Sequence, residues 1–180
     1  MKPVQDSQAA RPSPAFKAFA LTLGAPLLLI SCASVPPLST ADHPEARSFV
    51  VSSDASADVG HALDRANSSG KHVLLVMGAN WCHDSRALAG WLETPRFQDL
   101  IASEYELVFV NVGMPQTKDG HNLDIARRFG LEDVPGTPSL LVVRPDGTLL
   151  NAGTATTWRN AASRSEDAIY AELAALADQK

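Results

Sequence analysis

The chain has 180 residues, 45% of them hydrophobic and 19% charged, which is the composition of one globular domain with extensions and excludes a disordered protein. Its 20 acidic residues outnumber 15 basic ones for a net charge of −5, and no basic run of the kind that neutralises phosphates is present, so nucleic acid is not an expected partner. There are two cysteines, Cys32 and Cys82, and they lead to two separate readings.

The first 31 residues are set apart from the rest. Lys2, Arg11 and Lys17 form a basic start, and Ala18 to Ile30 is uncharged and mostly apolar. That apolar stretch is shorter than the roughly 20 residues a membrane-spanning helix needs, and Gly24 and Pro26 interrupt it, so it reads as a secretory signal. Leu29-Ile30-Ser31-Cys32 closes it and resembles the lipobox of bacterial lipoproteins. The resemblance implies cleavage before Cys32 and acylation of that cysteine, with the protein held on the periplasmic side of a bacterial membrane. Each buried methylene of such an anchor contributes about 0.8 kcal/mol. Ala33 stands where an aspartate favours inner-membrane retention in enterobacterial lipoproteins, which points toward the outer membrane. Loss of residues 1–31 leaves 12 basic and 19 acidic residues, a charge of −7. The expected organisation is a signal over 1–31, a lipidated N-terminus and flexible tether over 32–52 containing Pro36, Pro37 and Pro44, and a globular domain over 53–180.

Along the globular part, helical and strand patterns alternate, as in an α/β domain. A strand near 48–52 is expected to add a sheet edge. Ala57, Val59, Ala62, Leu63 and Ala66 make a helical stripe that Gly70 ends. Val73 to Ala79 is a continuous apolar run, suited to a central strand covered on both faces. A helix opens at Cys82 and buries Leu88, Trp91 and Leu92; Thr94-Pro95 restarts a helix with threonine as cap. Leu107 to Val112 is a second strand, and Leu123 to Phe129 a short helix ending at Gly130. Between them, 113–121 is longer than a tight connection requires. Ser139 to Val143 and Thr148 to Ala152 predict a hairpin around Pro145-Asp146-Gly147. Ser163-x-x-Glu166 predicts a capping box for a last helix that buries Ile169, Leu173 and Leu176. Trp158 and Arg159 fall in an expected loop without a role, and His43, His61 and His72 read as solvated side chains.

Trp81-Cys82-His83-Asp84-Ser85 follows the apolar strand, Val134-Pro-Gly-Thr137-Pro138 precedes another, and Pro145-Asp-Gly147 makes the hairpin after it. In this order the three pieces resemble the thioredoxin superfamily, with Ser85 where thioredoxins carry a second cysteine. The resemblance implies a thioredoxin-like fold: a central mixed sheet flanked by helices, with a C-terminal β-hairpin and helix. It also implies that Thr137-Pro138 is the cis-proline of that fold and lies beside Cys82. The acid that thioredoxins bury in the preceding strand is replaced here by Val76.

The chemistry of the motif follows from its residue types. A cysteine at a helix N-terminus faces unsatisfied N–H groups, which favour the thiolate, and Asp84 opposes it. Ser85, one turn on, is placed to donate its hydroxyl to that sulfur. It cannot resolve a mixed disulfide, so Cys82 cannot complete a dithiol cycle by itself. The candidate site is therefore Cys82 with Ser85 as the reactive pair, and Trp81, His83, Thr137 and Pro138 as the surface that holds a substrate segment. The leading reading is an anchored monothiol exchanger acting on a protein thiol or disulfide. The alternative is a redox-inert module that binds a protein partner at the cis-proline edge. Copper held by Cys82 with His83 or His121 is a third reading, set aside because adjacent residues at a helix start diverge and no second thiol or methionine cluster is near. No cofactor and no metal ion are expected.

Overall fold

The computed structural model describes residues 43–179. The expected signal segment, the acylated Cys32 and the Pro36-Pro37 part of the tether lie outside the described residues. No described helix is long and apolar enough to cross a membrane.

Helix α1 (Ala55–Ser69) starts at Asp54, whose Oδ1 accepts the Ala57 amide at 2.8 Å, and ends at Gly70 with φ +75°. Strand β1 (His72–Gly78) lies at the centre of the sheet. Helices α2 (His83–Leu92) and α3 (Pro95–Glu104) then carry the chain to β2 (Tyr105–Asn111), parallel to β1, since parallel neighbours need a crossover. The connection 113–121 is a small hairpin, β3 (Gly113–Met114) and β4 (Asp119–Gly120), followed by α4 (Leu123–Arg128). Strand β5 (Ser139–Val143) returns antiparallel on the other side of β1, giving the mixed order β2-β1-β5. A 3-10 segment (Thr157–Ser163) and α5 (Glu166–Ala177) complete the domain. This is the thioredoxin-like arrangement the motifs implied.

Side-chain alternation splits the core into two layers. Leu74, Val76, Leu140 and Val142 pack against α2, α3 and α5, while Val73, Leu75, Met77, Leu141 and Val143 pack against α1 and α4. All nine are fully buried, which explains why these strands read as unbroken apolar runs.

Several expectations are corrected. No strand forms at 48–52, because side chains rather than a ladder take up the backbone there. Asn80 Oδ1 accepts the Phe49 amide (3.2 Å), and the Phe49 carbonyl accepts from Asn80 Nδ2 and Asn111 Nδ2, both at 3.0 Å. The last part of the expected tether is likewise a packed strap: Phe49 is buried in the core and the Ala46 amide donates to Arg86 O at 3.0 Å. The arm after Gly147 is a single bridge, Val143 to Leu149, rather than a strand. Beyond it Asn151 substitutes for the ladder, Oδ1 accepting from Val142 N (2.9 Å) and Nδ2 donating to Leu140 O (2.8 Å). The last helix is capped by Ser165, whose hydroxyl accepts from Ala168 N, and Ser163 belongs to the preceding 3-10 segment, so no reciprocal box forms. Trp158 is not a loop residue but fully buried core, with the Arg164 guanidinium 4.1 Å over its ring. Thr94 does precede α3, yet its hydroxyl donates back to Trp91 O instead of capping forward.

Candidate active site

The packing of β1 delivers the chain to Cys82, the N-cap of α2. Glycine is required at Gly78, where a Cβ would lie 2.6 Å from the Phe49 ring and 2.7 Å from Ser85 Oγ. Cys82 is 8% exposed, and its thiol donates to the carbonyl oxygen of Thr137 at 3.3 Å. The Thr137-Pro138 bond is cis, as the resemblance implied. Two segments far apart in sequence thus meet at one sulfur. Thr137 Oγ1 is buried beside it without a hydrogen-bond partner.

Ser85 is fully buried, and its Oγ accepts the Ala79 amide at 3.4 Å. The expected Ser85–Cys82 hydrogen bond is not formed among the described residues. The hydroxyl instead closes the end of β1, where the chain turns into the motif.

Asp84 is also committed elsewhere. Its Oδ1 accepts the Ala162 amide at 2.9 Å and ties the start of α2 to the 3-10 segment. Trp81 is 48% exposed and donates Nε1–H to Gly113 O at 3.0 Å, so the indole holds the β3–β4 hairpin and leaves a face open near exposed Met114. Pro138, joined to Thr137 by the cis bond, directly precedes β5.

His83 points away from the buried side, its side chain 58% exposed, into a group that sequence reading missed. Its Nδ1 lies 2.9 Å from Glu45 Oε1 and its Nε2 lies 3.2 Å from His43 Nε2. Arg86 Nε donates to Glu45 Oε2 at 2.9 Å, and its Nη1 donates to the carbonyls of Asn80 (3.2 Å) and Trp81 (3.0 Å). Arg86 therefore clamps the turn that precedes Cys82 to the strap. These contacts hold the Glu45 carboxyl below the usual carboxylate range, the Arg86 hydrogen bond being the main cause, partial desolvation opposing it, and the Arg86 charge and His83 adding to it. His43 is half-buried rather than solvated, and His72 Nε2 meets Gln179 O at 3.0 Å. His121 does not join Cys82; it lies against Gly113.

Residues 54–145 match a family model described as thioredoxin-like. Among solved structures, the chain is similar to a disulphide isomerase from Xylella fastidiosa Temecula1, with 32% identity and a TM-score of 0.64, over 74% of this chain and 100% of that one. No curated protein matches.

Proposed function

The chain belongs to the thioredoxin-like family, and we propose that it is a lipid-anchored extracytoplasmic member whose Cys82 exchanges disulfides as a single thiol. The observation that carries this reading is the meeting of Cys82 Sγ with the Thr137 carbonyl, beside Pro138, at the first turn of α2. A substrate segment lying along Gly136-Thr137 as an added strand brings its disulfide to that sulfur. The exposed face of Trp81 covers the other side.

The Cys82 thiolate attacks one sulfur of the substrate disulfide; a Cys82–substrate disulfide forms and the second substrate sulfur leaves as thiolate. Ser85 has no thiol to attack this bond. Resolution then falls to another thiol of the same substrate, which forms the rearranged disulfide and returns Cys82 as thiolate. No net electrons move, so a single cysteine suffices. That makes reshuffling, the activity in the name of the 32%-identical neighbour, the member of this reaction class that the site serves best. Two equivalents of an external thiol give net reduction instead: the first displaces the substrate from Cys82 as thiolate, and the second frees Cys82 as the external disulfide leaves. Acylated Cys32 would confine the reaction to protein thiols and disulfides within tether reach of the membrane.

The test is mass-spectrometric identification of whatever is disulfide-linked to Cys82 in cells, with Cys82→Ala as the blank, together with the rate at which the purified thiol attacks a small disulfide. Mixed disulfides with extracytoplasmic proteins and a rate above that of free cysteine are expected. No adduct and a rate no faster than free cysteine would leave the fold as a binding module at the cis-proline edge.

A further inference from the structure

We propose that His43 and His83 form a binding site for a borderline divalent transition-metal ion, of the Zn2+ or Cu2+ type, at the outer face of α2, oriented by Glu45. One ligand atom from each of these three residues lies within 4.8 Å of the others. The partner of His83 assigns its tautomer. Glu45 Oε1, a carboxylate oxygen that can only accept, lies 2.9 Å from His83 Nδ1, so this nitrogen carries the hydrogen. The Pro44 carbonyl lies 3.4 Å from His43 Nδ1, a long contact that accepts the ring hydrogen when it sits on that nitrogen. Both Nε2 atoms are then lone-pair acceptors, and they face each other at 3.2 Å with the rings tilted by 60°. In that tautomer the two lone pairs converge on a position that a cation can take, whereas in the other His43 Nε2–H donates to His83 Nε2.

The spacing suits a metal. Two imidazole nitrogens bound to tetrahedral Zn2+ at about 2.0–2.1 Å are separated by about 3.3–3.4 Å. The outer arrangement suits one as well. A carboxylate on the Nδ1–H of a ligating histidine sets its tautomer and raises its basicity, and Glu45 is itself anchored by Arg86. The Arg86 charge is spent on Glu45 and on the Asn80 and Trp81 carbonyls. Cys82 is not a ligand, since its sulfur is turned to Thr137. With His83 half-exposed, the remaining coordination positions open to solvent. The site stands apart from the exchange chemistry, because neither nitrogen touches the reacting sulfur.

The competing occupant is a shared proton, and metal titration separates the two. The full chain is titrated with Zn2+ against a chromophoric chelator and with Cu2+ under electron paramagnetic resonance. One ion per chain is expected, with nitrogen hyperfine structure from two imidazoles. Binding should survive Cys82→Ser, be lost in the His43→Ala/His83→Ala pair, and weaken about 10–100-fold in Glu45→Gln. Binding to the wild type no tighter than to the double-histidine variant, or binding that persists there and vanishes in Cys82→Ser, overturns the proposal.

Discussion

A Cβ on Gly90 would lie 2.2 Å from the carbonyl oxygen of Pro44, so the strap and helix α2 meet backbone to backbone. An alanine in a helix interior is ordinarily better than glycine by about 1 kcal/mol. Here the sign reverses. Gly90→Ala should displace the strap and destabilise the domain by about 1–3 kcal/mol, the usual range for overpacking. The Ala46 amide, bonded to Arg86 O, should lose its protection from hydrogen exchange. A stabilised variant with that protection intact would show that the strap does not bear on α2.

The same strap is sensitive to acid. Glu45 has a lowered carboxyl pKa in the folded chain, so its contribution is complete above the ordinary carboxylate value and is lost as pH falls through the folded one. Docking of residues 43–46 should loosen as pH falls through the folded Glu45 value, which lies below the ordinary carboxylate one. Ala46 amide exchange followed against pH reads this directly. Glu45→Gln should remove the acid step, because no titrating group then holds Arg86.

Ser85→Cys tests whether the scaffold still supports a dithiol cycle. A thiol at this position attacks the Cys82 mixed disulfide intramolecularly, at high effective concentration. The variant should gain catalytic reduction of a protein disulfide when given a reductant, whereas the natural chain accumulates mixed disulfides. Sulfur is a weak acceptor for the Ala79 amide, so a stability loss of about 1 kcal/mol should accompany the gain. Absence of any internal disulfide, with natural Cys82 no more reactive than free cysteine, favours the binding-module reading.

Asn151 satisfies two buried backbone groups of β5, and Asn151→Ala strands both. Each orphaned group costs about 1–3 kcal/mol, so a loss of about 2 kcal/mol or more is expected in chemical denaturation. A loss under half that would mean water replaces the amide.

Cys32→Ala should leave an unprocessed or soluble protein. Membrane fractionation and intact mass check this together; if both are unchanged, Cys32 is not an anchor.

Much of the fold was legible because it rests on patterns local in sequence. The apolar run of β1, the Gly70 end of α1, and Cys82 at a strand-to-helix junction each carry their own signal. Thr137-Pro138 was legible only through the family resemblance, since 55 positions separate Thr137 from Cys82. The strands absent at 48–52 and after Gly147 share one cause. Asn80, Asn111 and Asn151 use side-chain amides where a backbone ladder was expected, and the sequence around an asparagine gives no sign of which distant backbone group it will serve. Ser85 was assigned to the sulfur from its spacing, but the tight approach of Gly78 draws it to the end of β1. The grouping of His43, Glu45 and His83 was invisible for a similar reason, because 40 positions separate the two histidines and the strap between them read as tether.

The asparagine amides also govern how the protein behaves in a crowd. An open sheet edge is a template on which another chain can polymerise. On the β5 side that template is used up: Leu150 N donates to Val142 O, Asn151 serves Val142 N and Leu140 O, and Ala155 O accepts from Leu140 N. Growth is left to the β2 side, where no second strand pairs among the described residues. There Glu106, ion-paired to Arg65 at 2.8 Å and to Lys71 at 3.9 Å, sets charge on the strand. Molecules brought to high local concentration would therefore stack through one guarded edge, which favours dispersed chains over fibres.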